Sequence, residues 1–260
     1  MKEKESNSTS VVLCVVFSII ALGIGGFIAV KTLTSGSSNN TDYSEETSEE
    51  VEKNKKEIEK HIVEYDSSKL IDGNDLNGNL ADHVRGKVDS KVIVTEYADL
   101  QCPGCASLMP QMHNLYATYG DRVAFVFRNF PISSHKLSRP AAIAAEAAGF
   151  QGKYWEMLES LYANRADWLN ETDKNKLTNY FVTLFKEIAS EGDVAKFRKD
   201  LRDNNIVKKL DFDYALGSTV DKVNATPAVF VNGVAVDIGE AKTVGEFGQM
   251  IEDAIKAALE

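Results

Sequence analysis

The tetrapeptide Cys102-Pro103-Gly104-Cys105 stands at the junction of two unlike patterns, and this restricts the fold more than any other feature. Before it, residues 92–97 (VIVTEY) are apolar and β-branched, which suits a buried central strand interrupted by one acid. After it, Leu108, Met112, Leu115 and Tyr119 recur at steps of four, three and four, a helical period that Gly120 ends. Pro103 falls in the first turn, where a missing N–H does no harm. The two thiols are therefore expected at a strand-to-helix crossing, with Cys102 at the helix N-terminus and Cys105 one turn inside.

That position has a chemical consequence. Unpaired N–H groups and the positive end of the helix dipole favour a thiolate at Cys102, and thiols so placed have pKa values of roughly 3.5–7.5. Two intervening residues also bring the sulfurs within reach of a reversible disulfide. An inert structural bridge and half of a zinc site are the alternatives. Zinc wants four ligands; His113 lies about two helical turns beyond Cys105, and the third cysteine, Cys14, sits in a distant apolar run. Three cysteines cannot build a disulfide scaffold either, since only one bridge could close. The balance favours redox chemistry that needs neither a metal nor a bound cofactor.

Glu96 adds to this. Strand alternation places it on one face with Val92 and Val94. A buried carboxyl without a paired charge has a raised pKa, so Glu96 could exchange a proton with Cys105 near neutral pH. The alternative is a sheet edge that leaves Glu96 exposed. Further on, residues 223–236 (VNATPAVFVNGVAV) read as a hairpin turning at Asn232-Gly233. Pro227 opens its first strand; a cis Thr226–Pro227 bond would present backbone groups to an extended peptide, and a trans strand-start proline is the plainer option.

The ends of the chain differ from this middle. Residues 11–30 form an uncharged run of 20, about 30 Å of helix and enough to span a bilayer core. The run is long for a signal peptide and lacks a good cleavage site, so an uncleaved anchor is expected after a cytoplasmic segment 1–10, with Cys14 a bystander inside it. Residues 31–68 read as a polar, acidic linker, helical at most in part, with eight acids and four bases between 42 and 60. Residues 91–260 carry 19 basic and 23 acidic side chains, so most of the net charge of −10 lies outside the folded part. The acidic balance argues against nucleic-acid binding. Residues 72–79 (DGNDLNGN) miss the ligand spacing of an EF-hand and read as a surface turn.

Taken together, these residues resemble the thioredoxin superfamily, and within it the membrane-anchored DsbA-like (BdbD-like) thiol–disulfide oxidoreductases. The resemblance runs from about residue 84 to the C-terminus. Its markers are Glu96 six residues before Cys102, the Cys102–Cys105 motif, Pro110, Arg128-Asn-Phe-Pro131 with His135, residues 144–155 (AAEAAGFQGKYW), and Thr226-Pro227 before Phe-Val-Asn-Gly. The Pro-Gly dipeptide lacks the histidine that the strongest DsbA oxidants carry there. The resemblance implies an α/β thioredoxin fold over residues 69–260, with a helical insertion at about 137–216. It implies Cys102 as nucleophile, Cys105 as buried partner, Glu96 as proton relay and Pro227 as cis-proline, with substrate contact at Thr226, Pro227, Pro103 and Gly104. The implied activity is disulfide introduction into unfolded secreted proteins with free thiols, outside a cell membrane. Re-oxidation would fall to a membrane partner of the DsbB or vitamin-K-epoxide-reductase kind. A reductase or isomerase, and a tethered metal- or peptide-binding protein, are the competing expectations.

Overall fold

The computed structural model describes residues 48–189, 192–237 and 241–260. The expected cytoplasmic segment, the anchor with Cys14, and the linker as far as residue 47 lie outside the described residues. No described helix is long and apolar enough to cross a membrane.

The run that contains Glu96 forms β2 (Ile93–Ala98), and all six of its residues are buried. It lies at the centre of a five-stranded sheet. On one side it pairs in parallel with β3 (Ala124–Asn129), on the other antiparallel with β4 (Ala228–Val231). Glu96 thus faces Phe127 in one ladder and Val229 in the other, which excludes the exposed-edge alternative. The edges are β1 (Val84–Gly86), antiparallel to β3, and β5 (Val234–Ala235), antiparallel to β4. The β4–β5 turn is the expected one: Asn232 and Gly233 both take positive φ, 48° and 77°, as a tight two-residue hairpin requires.

Among the described residues the helix α1 (Ser48–His61) comes first, and α2 (Pro103–Tyr119) crosses from β2 to β3. Between β3 and β4 the insertion supplies α3 (Ser138–Gly149), α4 (Tyr154–Ala163), α5 (Arg165–Trp168), α6 (Lys174–Ile188), α7 (Val194–Asp200) and α8 (Asn204–Ala215). Small residues explain how closely it packs: Ala141, Ala144, Ala145 and Ala148 are fully buried on α3, which lies against α4. Trp168, Phe181, Phe185 and Phe197 fill the rest, the last two stacked with ring centroids 4.2 Å apart. The last helix, α9 (Val244–Leu259), starts at the expected Thr243/Glu246 capping box and buries Phe247, Ile251 and Ile255.

Two features depart from the sequence expectation. The stretch read as a solvated linker contributes to the core, because α1 packs on α8. Ile58 and Ile62, one turn apart, are buried at 1% and 0% exposure with Ile71, Phe212 and Leu216. A helix rich in Lys and Glu thus needs only one apolar contact line to dock. Secondly, an interior set of charges ties the segment after α1 to the sheet and the insertion. The guanidinium of Arg128, fully buried, donates to Asp82 at 2.8 Å and to the carbonyls of Ser67 and Lys69 at 2.9 and 2.8 Å. Lys209 reaches Asp82 and Asp213 at 3.2 and 2.5 Å, and Asp213 accepts the Asn129 N–H at 3.2 Å. Burial pushes Asp82 up, but Arg128 and Lys209 outweigh it and hold the carboxyl at about 2. The 72–79 segment is the expected turn, closed by its own amides: Asn77 Oδ1 accepts Asn74 N–H at 2.7 Å and Asn77 Nδ2 donates to Asp72 O at 2.9 Å.

Candidate active site

The two cysteines occupy the positions the sequence assigned. Cys102 is the N-cap of α2, extended at φ −67° and ψ 127°, and its carbonyl accepts the Ala106 N–H at 3.1 Å. Pro103 is the first helical residue and is exposed. Both thiols are free; Cys102 keeps 6% exposure and Cys105 none. His113, the weak metal candidate, pairs instead with Glu159 at 3.1 Å.

The environments of the two sulfurs are opposite in effect. A hydrogen bond from the Cys105 thiol is the largest influence on Cys102; burial opposes it, and the Thr226 side chain and the N–H groups of Cys105 and Gly104 reinforce it. The result is a thiol lowered to about 5. As a neutral thiol, Cys102 donates to the Thr226 carbonyl at 3.5 Å, and the buried Thr226 hydroxyl is then left without a partner. A charged sulfur gives that hydroxyl an acceptor. Cys105 is pushed far above the usual thiol range by burial, then by the Cys102 thiol and by Glu96. Attack from solvent is thus confined to Cys102.

Glu96 lies beneath the pair at 2% exposure, with one carboxylate oxygen unpartnered. Burial, and then the charge of Cys102, raise it to about 8, so it holds a proton at neutral pH. The Thr226–Pro227 bond is cis, and its loop lies against the cysteines. A Cβ on Gly104 would sit 3.3 Å from Pro227 Cδ and 3.7 Å from Cys102 Sγ, so a residue without a side chain lets the loop approach. A shallow groove of about 250 Å³ opens there, lined by Gly104, Leu108, Pro227, Lys242, Thr243 and Phe247 among others. All seven expected residues, Glu96, Cys102, Pro103, Gly104, Cys105, Thr226 and Pro227, therefore converge on one site.

The sequence reading missed Asp99. Its carboxylate, 1% exposed, accepts from Gln101 N (2.7 Å), Ile132 N (2.8 Å), His135 Nδ1 (2.9 Å) and the Ser138 hydroxyl. Arg165 holds the next turn through the Gln101 carbonyl, from Nε at 2.9 Å. The available signal was an Asp directly after a buried strand and three residues before Cys102, a position suited to an Asx turn.

A family model described as Thioredoxin matches residues 78–253. The chain belongs to the thioredoxin family. Its fold is that of the DsbA/BdbD-like oxidoreductases. BdbD from Bacillus subtilis, in its oxidised form, aligns at 22% identity over 74% of this chain and 98% of its own, with a TM-score of 0.53. MdbA, a thiol-disulfide oxidoreductase from Corynebacterium diphtheriae, aligns at 18% identity over 75% and 98%, with a TM-score of 0.54. Among curated sequences, an Na(+)/H(+) antiporter NhaA 1 from Mycolicibacterium vanbaalenii is 33% identical over 156 residues, 59% of this chain. The chain spans about a quarter of that protein's length (24%).

Proposed function

We propose that the protein is an extracytoplasmic thiol–disulfide oxidoreductase that introduces disulfides into secreted proteins. The observation that carries this reading is the asymmetry of the pair: a Cys102 thiol lowered to about 5 beside a buried, high-pKa Cys105. In the oxidised enzyme a substrate thiolate attacks the Cys102 sulfur. A substrate–Cys102 bond forms, the Cys102–Cys105 bond breaks, and its electron pair leaves on Cys105, which takes a proton from Glu96. A second substrate thiolate then attacks the substrate sulfur of the mixed disulfide and expels Cys102 as a thiolate. The substrate loses two electrons and the enzyme gains them. A stabilised Cys102 thiolate is a good leaving group and favours the reduced enzyme, which makes the disulfide oxidising.

The remaining parts of the reading rest on the resemblance and on the apolar run at residues 11–30. Anchoring there would hold the domain on the outer side, where disulfides persist. A DsbB-like or vitamin-K-epoxide-reductase-like membrane partner would return the enzyme to its disulfide form. Equilibration with glutathione tests the direction of the chemistry. A potential well above that of thioredoxin, about −270 mV, is expected. A value near thioredoxin's would sink the oxidase reading in favour of a reductase or isomerase. A pair that does not exchange with glutathione would sink the redox reading and leave a tethered binding protein.

A further inference from the structure

Opening the disulfide places charge on Cys105, the sulfur with the poorer environment for it. Burial, the Cys102 thiol and Glu96 all disfavour a Cys105 thiolate. One contact works in the other direction: the backbone N–H of Asp99 points at Cys105 Sγ, with nitrogen and sulfur 3.5 Å apart. We propose that this N–H stabilises the leaving Cys105 thiolate, as an oxyanion hole stabilises a developing alkoxide, and that the Asp99 carboxylate is the positioning group that holds it in place. The inference rests on the oxidoreductase reading and adds to it a donor for the leaving group.

The geometry is built for that task. The Asp99 side chain gathers its four donors from its own turn, from the 130–137 loop and from the first residue of α3. Its carbonyl is fixed as well, accepting from Cys102 N at 2.9 Å and from the Tyr162 hydroxyl at 3.3 Å. Upstream, the β2–β3 ladder continues to the Ala98 carbonyl, which accepts from Phe130 N at 2.8 Å. The peptide group before Asp99 is therefore held by Phe130, outside the Cys-Pro-Gly-Cys loop, and the one after it by Tyr162 together with Cys102 itself. A donor fixed in advance needs no reorganisation when charge appears, and such donors are worth the most where water is excluded. The Asp99 N–H meets both conditions, because Cys105 is fully buried.

A kinetic role separates from a structural one in the ratio of rate to equilibrium. In the full chain, Asp99→Ala should slow opening of the Cys102–Cys105 disulfide by dithiothreitol at least tenfold. The equilibrium constant with glutathione should move less than threefold, because protonated Cys105 gains little from the N–H. Ser138→Ala, which removes one of the four donors and spares the turn, should slow opening two- to fivefold at an unchanged equilibrium, and Ser138→Thr should restore it. Ser138→Ala decides the matter if Asp99→Ala does not fold. Parent-like rates in the folded variants, or rate and equilibrium constant falling together, would overturn the proposal and leave the oxidoreductase reading standing. A parent chain that does not exchange at all overturns both.

Discussion

Replacing Glu96 by leucine should stabilise the reduced protein relative to the parent by more at pH 8 than in acid, where the pH-dependent part of the gain vanishes. Glu96 ionises at about 8 in the folded chain against an ordinary value of 4.5. A group raised on folding stabilises fully below its unfolded pKa, and that contribution is lost as pH rises through the folded one. Each pH unit between the two values removes about 1.4 kcal/mol, so the whole interval removes about 5 kcal/mol. Leucine has no proton to lose and fits a site whose neighbours across the sheet are Phe127 and Val229. Its altered packing adds an offset that does not depend on pH. Urea unfolding under reductant, followed by tryptophan fluorescence from pH 4 to pH 9, measures both curves. The stability difference should climb between about pH 4.5 and pH 8 and flatten on either side. The climb should be smaller in the oxidised protein, where the Cys102 charge that helps raise Glu96 is gone. A difference that stays constant across the range would refute the buried, proton-holding carboxyl.

Other consequences are as direct. The absorbance of the Cys102 thiolate should titrate at about pH 5, and Cys105→Ala should move that midpoint upward, since the Cys105 thiol is the largest lowering influence; an unmoved midpoint would count against the assigned cause. Thr226→Val should raise it too, by less, in the same titration. The equilibrium constant for oxidation of glutathione by the protein should rise with pH above pH 5, by up to about tenfold per unit until Glu96 begins to take up a proton on reduction, because reduction leaves Cys102 as a thiolate and releases its proton; a flat profile just above pH 5 would contradict a depressed thiol. Cys105→Ser should accumulate mixed disulfides through Cys102 on non-reducing gels, released by dithiothreitol, and none forming with a reduced, unfolded substrate would undercut the nucleophile assignment. Ile58→Ala should destabilise the domain by about 2–4 kcal/mol in urea unfolding, as truncation of a buried isoleucine does; no effect would mean that α1 does not dock.

The candidate site was largely legible because its signals are local. Cys102, Cys105 and Glu96 lie within ten residues of one another, and strand and helix periods alone orient them. Thr226 and Pro227 came from the resemblance together with a turn signal. What stayed hidden depends on partners distant in the chain. Asp99 looks like an ordinary turn residue until the loop at 132–138 folds over it. Arg128 enters the sequence reading only as part of a family marker, with no sign of burial, yet it is buried by carbonyls about 60 residues earlier in the chain. Ile58 seemed stranded among lysines and glutamates because the surface it covers, Phe212 and Leu216, lies about 150 residues later. Composition could place the charge of that segment but not its single apolar contact line.

The two outermost strands bear on how such a protein could survive its own clientele. Among the described residues β1 has three residues and β5 only two. A long open strand offers a row of free N–H and C=O groups to any extended chain that comes near. A protein proposed to receive unfolded polypeptides one after another would be unusually exposed to that hazard. Cutting both borders of the sheet to stubs leaves too few backbone groups to zip up a visitor. Capture then depends on a sulfur–sulfur bond that the next exchange undoes, and clients can leave as readily as they arrive.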